Sequence, residues 1–156
     1  GWPLYLAAPK TGLSEATKAA MGGVTDVVIL GGTGAVGSST ESYLIGRYGK
    51  KVTRLQGANR YETAVKVATY AVEGHGHTWN RVGITTGANF PDALAGGVLQ
   101  GNVGSVMVLT KPTSLNGYTK AALTRNKTDI STVTYFGGTG PVSSAVRTQV
   151  ANALKK

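Results

Sequence analysis

The chain has no cysteine, only seven Asp+Glu, an aromatic content of 7% and no long apolar run. Without cysteine there are no disulfides and no thiolate metal sites, which suits a cytosolic protein or a surface protein that is stable without staples. Seven carboxylates leave little for acid/base chemistry, and no closely spaced carboxylate pair, Gly-x-Ser-x-Gly elbow or His-Glu-x-x-His helix occurs. No catalytic residue is expected. No stretch approaches the roughly 20 apolar residues of a membrane-spanning helix, so a soluble chain without membrane insertion is expected. There is no initiator methionine and no signal peptide; the chain opens at Gly1-Trp2-Pro3 and reads as a piece of something longer.

What is abundant is positive charge. Sixteen Lys+Arg give a net charge of +9, which favours a polyanionic partner. The basic residues are scattered from Lys10 to Lys156, with only the pairs Lys50-Lys51 and Lys155-Lys156, and are not interleaved with aromatics. Nucleic acid is therefore not the expected partner. A length of 156 residues allows one compact unit or two small interlocked ones.

Short apolar or β-branched runs read as strands: Leu4-Tyr5-Leu6, Asp26 to Leu30, Val52 to Leu55, Arg81 to Thr85, Val106 to Leu109 and Thr132 to Phe136. Helical stretches lie between them. The clearest, "NRYETAVKVATYAV", places Ala64, Val65, Ala68, Ala71 and Val72 at helical spacing behind an Asn59/Glu62 capping box. Strands alternating with helices predict a doubly wound α/β fold, with a mostly parallel sheet covered by helices on both faces.

The chain also repeats itself. "LSEATKAAM" at Leu13 recurs as "LNGYTKAAL" at Leu115, and "VVILGGTGAVGSS" at Val27 recurs as "VTYFGGTGPVSS" at Val133. Two matches in the same order and at nearly the same interval define a repeat. The chain thus divides into residues 1–53, the carboxyl half of one repeat, and residues 54–156, a complete one.

Gly32, Gly34 and Gly37 have the Gly-x-Gly-x-x-Gly spacing of a dinucleotide loop after a strand. A tight structural turn is the other reading, and more features fit it. Ser38 and Glu41 form a capping box that starts the helix after the third glycine, and Ser143 replaces that glycine in the second copy. Arg54 and Gln56 stand where an acidic ribose ligand belongs. No cofactor is expected. Asn89, Pro91 and Asp92 read as a helix start, with Asn89 as cap, or as a ligand edge at the carboxyl end of a parallel strand. Arg60 and Asp92, at two strand-to-helix turns, have the charges to pair. His75 and His77 have chelating spacing but no third ligand nearby, so no metal is expected.

Taken together, "TRLQGANRYETAVKVA", "GITTGANFPDALAGG", "VMVLTKPTSL" and "VTYFGGTGPVSSAV" resemble the type 2 cell-wall-binding repeat of Gram-positive surface proteins. The resemblance rests on Arg54, Gly57, Arg60, Tyr61, Thr63 and Ala64, then Phe90, Asp92, Ala93 and Leu94, then Gly137 and Gly138. It implies Rossmann-like or Toprim-like repeats, commonly three in tandem, in a non-catalytic module that holds a protein to an anionic, teichoic-type wall polymer outside the cell. It also implies other repeats as partners, with an inter-repeat groove completed by homo-oligomerisation or by further sequence. Arg54, Arg60 and Lys111 are the expected polymer-phosphate ligands, with Asn89 and Thr110 as hydroxyl partners.

Overall fold

Five of the six apolar runs find a neighbour to pair with and become strands. The structure, a computed structural model, describes residues 2–155, and the chain divides into two units between Ala58 and Asn59.

The first unit runs α1 (Glu15–Ala20), β1 (Val27–Leu30), α2 (Ser38–Tyr48) and β2 (Val52–Leu55). β1 and β2 pair in parallel, from Val27 opposite Val52 to Leu30 opposite Leu55. Met21, Ile29 and Leu44 form a small core with Leu13, Val24 and Val52 packed on it. The interval between Thr53 and Arg54, where the sequence repeat divides, lies inside β2, whose ladder to β1 ties Arg54 to the first unit. The expected strand at Leu4-Tyr5-Leu6 does not form. Leu4 and Leu6 are 73% and 81% exposed, and among the described residues no strand of the first unit pairs with them.

The second unit runs α3 (Arg60–Gly74), β3 (Thr78–Thr86), α4 (Pro91–Asn102), β4 (Ser105–Thr110), α5 (Gly117–Arg125), β5 (Thr132–Tyr135) and α6 (Ser144–Ala153). Its sheet has the order β4-β3-β5 and both ladders are parallel. β3 is central and buried without interruption from Val82 to Thr86, as expected of a strand covered on both faces. Trp79, Val82, Ile84, Val106, Val108, Leu123, Val142 and Val146 form the core. Asn59 caps α3 as expected, its Oδ1 accepting from the amides of Tyr61 and Glu62 at 3.0 and 3.1 Å.

The repeated turn has the same geometry in both units but a different clamp. Gly31 and Gly137, which follow β1 and β5, have φ of +107° and +101°, a region that only glycine enters without strain. In the first unit Arg54 donates to the carbonyls of Gly31 (2.6 Å) and Val36 (3.0 Å), and to Glu41 Oε1 (3.0 Å). In the second, the matching carbonyls of Gly137 and Val142 accept from Arg147, at 3.2 and 3.1 Å. Arg147 stands at the repeat position of Glu41. The expected Ser38/Glu41 capping box is therefore absent: Gly37 is the N-cap of α2, and Glu41 turns to Arg54. Ser143 takes the cap in the second copy, accepting from the Val146 amide at 3.3 Å.

Candidate functional site

At the carboxyl ends of β3 and β4 the chain leaves its strands and opens a hollow of about 340 Å³, lined by Arg60, Thr86, Gly87, Ala88, Asn89, Phe90, Ala93 and Leu109. This is where parallel α/β sheets place their ligands. Local chemistry builds it. The Gly87 amide donates to the Thr110 carbonyl at 2.8 Å, extending the β3–β4 ladder by one residue. The Ala88 amide donates to Thr86 Oγ1 at 3.1 Å, which turns the chain outward. A side chain at position 87 is excluded, because a Cβ there would come within 2.7 Å of the Tyr61 ring and 3.2 Å of Arg60 Cδ.

Arg60 is the only charged residue among those lining the hollow. Its guanidinium donates through one N–H to the Gly87 carbonyl, and the residue is exposed. A guanidinium carries five donors, so the remaining N–H groups are available to an anion. Arg60 and Asp92 form no ion pair. Asp92 instead lies against the second turn, where a Cβ on Gly137 would come within 2.5 Å of its Oδ2.

The structure brings Arg60 and Asn89 together in the hollow's wall and distributes the other expected ligands elsewhere. Asn89 is exposed and is not the cap of α4: Phe90 occupies that position, and Asn89 Oδ1 accepts from the Phe90 amide. Lys111 is exposed, one residue beyond β4. Thr110 is fully buried, its Oγ1 donating to the Ser114 carbonyl and accepting from the Asn116 amide, so it shapes the β4–α5 loop from inside. The Arg54 side chain is 8% exposed and serves the first turn. Sequence reasoning did not pick out Arg147; aligning the two copies, which sets Arg147 opposite Glu41, is the signal that exposes its role. Phe90, one of the residues that carry the family resemblance, is 69% exposed and lines the hollow.

His77 Nδ1 lies 3.0 Å from the His75 carbonyl and the His75 ring is 4.4 Å from that of Tyr70; among the described residues no group of three His, Cys, Asp or Glu is placed to hold a metal ion. The wall of the hollow likewise offers no nucleophile beside a base. Around the open hollow stand a cation, an amide and an exposed phenyl ring.

The fold and this edge define a class: a repeat-built, parallel α/β binding module. The chain belongs to the cell wall binding domain 2 (CWB2) family, whose model matches residues 54–147. It is 29% identical over 157 aligned residues to the N-acetylmuramoyl-L-alanine amidase LytC of Bacillus subtilis, covering 99% of this chain and 28% of that protein. Among solved structures it is similar to Cwp6 from Clostridium difficile, with a TM-score of 0.78 and 26% identity over 90% of this chain and 22% of that one. Cwp8 from the same organism shares the fold, with a TM-score of 0.77 at 19% identity over 97% of this chain and 25% of that one. The chain thus spans about a quarter of each relative's length.

Proposed function

We propose that this chain is a non-catalytic module that anchors a larger surface or secreted protein to an anionic glycopolymer, teichoic-type or similar, in the wall of a Gram-positive bacterium. The supporting observation is the hollow beside β3 and β4, where Arg60 is the one charged wall residue and no carboxylate opposes it, on a chain of net charge +9. Arg60 offers its free donors to a phosphate, Asn89 its amide to a hydroxyl, and Lys111 a second cation. Arg54 and Thr110 are assigned to the turns they hold. Exposed contacts of this kind are individually weak, and attachment comes from many of them along a repeating polymer. The chain covers 28% of the Bacillus relative, and the amidase activity in that protein's name is not carried over to it.

Sedimentation with purified walls, before and after removal of their anionic polymers, tests this. The chain should sediment with intact walls and stay in solution with stripped ones. Binding to polymer should weaken about 10- to 100-fold between about 50 and 200 mM salt, as counterion release becomes less favourable. Arg60→Gln with Lys111→Gln should lower affinity roughly tenfold, at the 0.2–1 kcal/mol per contact typical of exposed ion pairs. Equal binding to stripped walls, or sub-millimolar binding of NAD(P) by isothermal titration without polymer binding, would overturn the reading.

A further inference from the structure

One lysine has opposite surroundings in the two copies. Lys18 on α1 and Lys120 on α5 are counterparts in the repeated segments that begin at Leu13 and Leu115. In the first unit Lys18 is occupied: its Nζ lies 2.7 Å from Glu15 Oε1 and 4.9 Å from the centroid of the Tyr43 ring, whose hydroxyl accepts from Arg47. The second copy replaces all three of these neighbours. Gly117 stands in the place of Glu15, Gln149 in that of Tyr43 and Ala153 in that of Arg47. A carboxylate, a phenol and a guanidinium thus give way to a hydrogen, an amide and a methyl group.

The smaller residues leave a groove of about 470 Å³ beside α5 and α6, lined by Ser114, Leu115, Lys120, Gln149, Asn152 and Ala153. One bond fixes its polarity. The Leu115 amide donates to Gln149 Oε1 at 2.6 Å, and because a backbone N–H can be met only by the amide oxygen, Gln149 Nε2 keeps both its donors for another partner. Lys120 forms no ion pair among the described residues, and no carboxylate lines the groove. An ammonium, an oriented amide donor, a second amide and a hydroxyl therefore stand together beside the apolar Leu115 and Ala153. Few polar groups set among apolar ones are the usual make-up of a small-ligand site.

We propose that this groove binds one anionic sugar residue, its carboxylate or phosphate on Lys120 and its hydroxyls on Gln149, Asn152 and Ser114. Lysine is a compact point charge and takes either oxyanion, while the amides both donate to and accept from hydroxyls. The C–H face of the sugar ring lies on Leu115 and Ala153. The site is separate from the hollow at Arg60, since no residue lines both. It belongs to the second copy alone, because in the first the Glu15 carboxylate and the Tyr43 ring already hold the lysine.

Amide NMR of the chain, titrated in turn with glucuronate, glucose 1-phosphate and glucose, tests this. The Leu115 amide and the side-chain amides of Gln149 and Asn152 should shift with a dissociation constant of about 1–10 mM for at least one of the anionic sugars. Glucose should bind at least about threefold more weakly. Comparing glucuronate with glucose 1-phosphate tells a uronic-acid unit from a phosphorylated one. Gly117→Glu gives Lys120 the carboxylate that Lys18 has, and a Cβ at Gly117 has open space around it, so the variant keeps the fold. Binding should weaken at least about threefold in this variant and in Lys120→Gln, and stay unchanged in Arg60→Gln. Absence of these shifts with both anionic sugars, equal binding of glucose, full binding by either variant at Gly117 or Lys120, or loss of binding in Arg60→Gln each overturns the proposal.

Discussion

Replacing Arg54 with alanine removes three hydrogen bonds from the first unit at once, to the carbonyls of Gly31 and Val36 and to Glu41 Oε1. It leaves the Glu41 carboxylate, whose side chain is 28% exposed, without the cation it faces. Breaking one side of a buried ion pair costs about 3–5 kcal/mol, and partial exposure of Glu41 lowers this to about 2–4 kcal/mol. A unit that ends at Ala58 holds only about 3–9 kcal/mol, at roughly 0.05–0.15 kcal/mol per residue. Arg54→Ala is thus expected to unfold the first unit in mild urea while the second stays intact. Hydrogen exchange resolved by segment reads this directly, because the Gly31 amide, bonded to the Leu55 carbonyl at 2.8 Å, loses protection while Val82 to Thr86 keep theirs. The second unit supplies a rescue. Arg147 reaches the same two carbonyls from the position of Glu41, so Glu41→Arg combined with Arg54→Ala should recover at least half of the lost stability. A loss below about 1 kcal/mol for Arg54→Ala, or a double variant no more stable than the single one, would refute the clamp.

Gly96→Ala adds a Cβ that would come within 2.5 Å of the Phe136 ring. The overpacking costs about 1–3 kcal/mol, set against about 1 kcal/mol of improved helix propensity. Urea denaturation should show net destabilisation, relieved by Phe136→Leu, and a stabilised Gly96→Ala would contradict the packing. Tyr135 is a pH probe: burial pushes its phenol above the ordinary value of 10.0, while Arg147, 4.7 Å from the ring centroid, pulls it down. The folded chain therefore keeps this proton at a pH where the unfolded chain has lost it. That contribution to stability is complete below pH 10.0 and is lost as pH rises towards the folded value. Resonances of Tyr135 should titrate above those of an exposed tyrosine, and higher still in Arg147→Gln; earlier titration in that variant would disprove the assignment.

The α/β architecture was legible wherever an element carries its own determinants. Asn59 caps α3 in sequence and in structure, and the β-branched runs at Val27, Val52, Val106 and Thr132 became strands. Leu4-Tyr5-Leu6 is apolar too but has no β-branched residue and did not, because a strand also needs a partner that local pattern does not reveal. The candidate site was half legible. Arg60 and Asn89 follow from the rule that ligands gather at the carboxyl ends of parallel strands. Thr110 obeys the same rule yet faces inward, and whether a terminal strand residue turns into a loop or out of it depends on bonds to Ser114 and Asn116 made several residues later. Ser38 and Glu41 had capping spacing, but a guanidinium from a neighbouring strand is a stronger partner for Glu41 than a backbone amide.

The residues that mark the family resemblance act largely within the fold. Arg54 holds the first turn, Tyr61 and Arg60 press on Gly87, and Asp92 lies against Gly137. A signature committed to such contacts specifies the module's shape, and the proposed function then assigns the choice of polymer to exposed residues outside it, such as Asn89 and Lys111. Under the proposed function the two roles meet at Arg60, which bonds to the Gly87 carbonyl through one N–H and also lines the hollow. Arg60→Lys separates them: lysine keeps the charge but not the planar fork. The variant should lose about 1 kcal/mol of stability with the Gly87 bond, yet hold wall polymer within roughly threefold of the parent, whereas Arg60→Ala loses both. If neither change moves polymer affinity while both lower stability, Arg60 belongs with Arg54 among the residues that build the fold, and the anion contacts lie on the lysines.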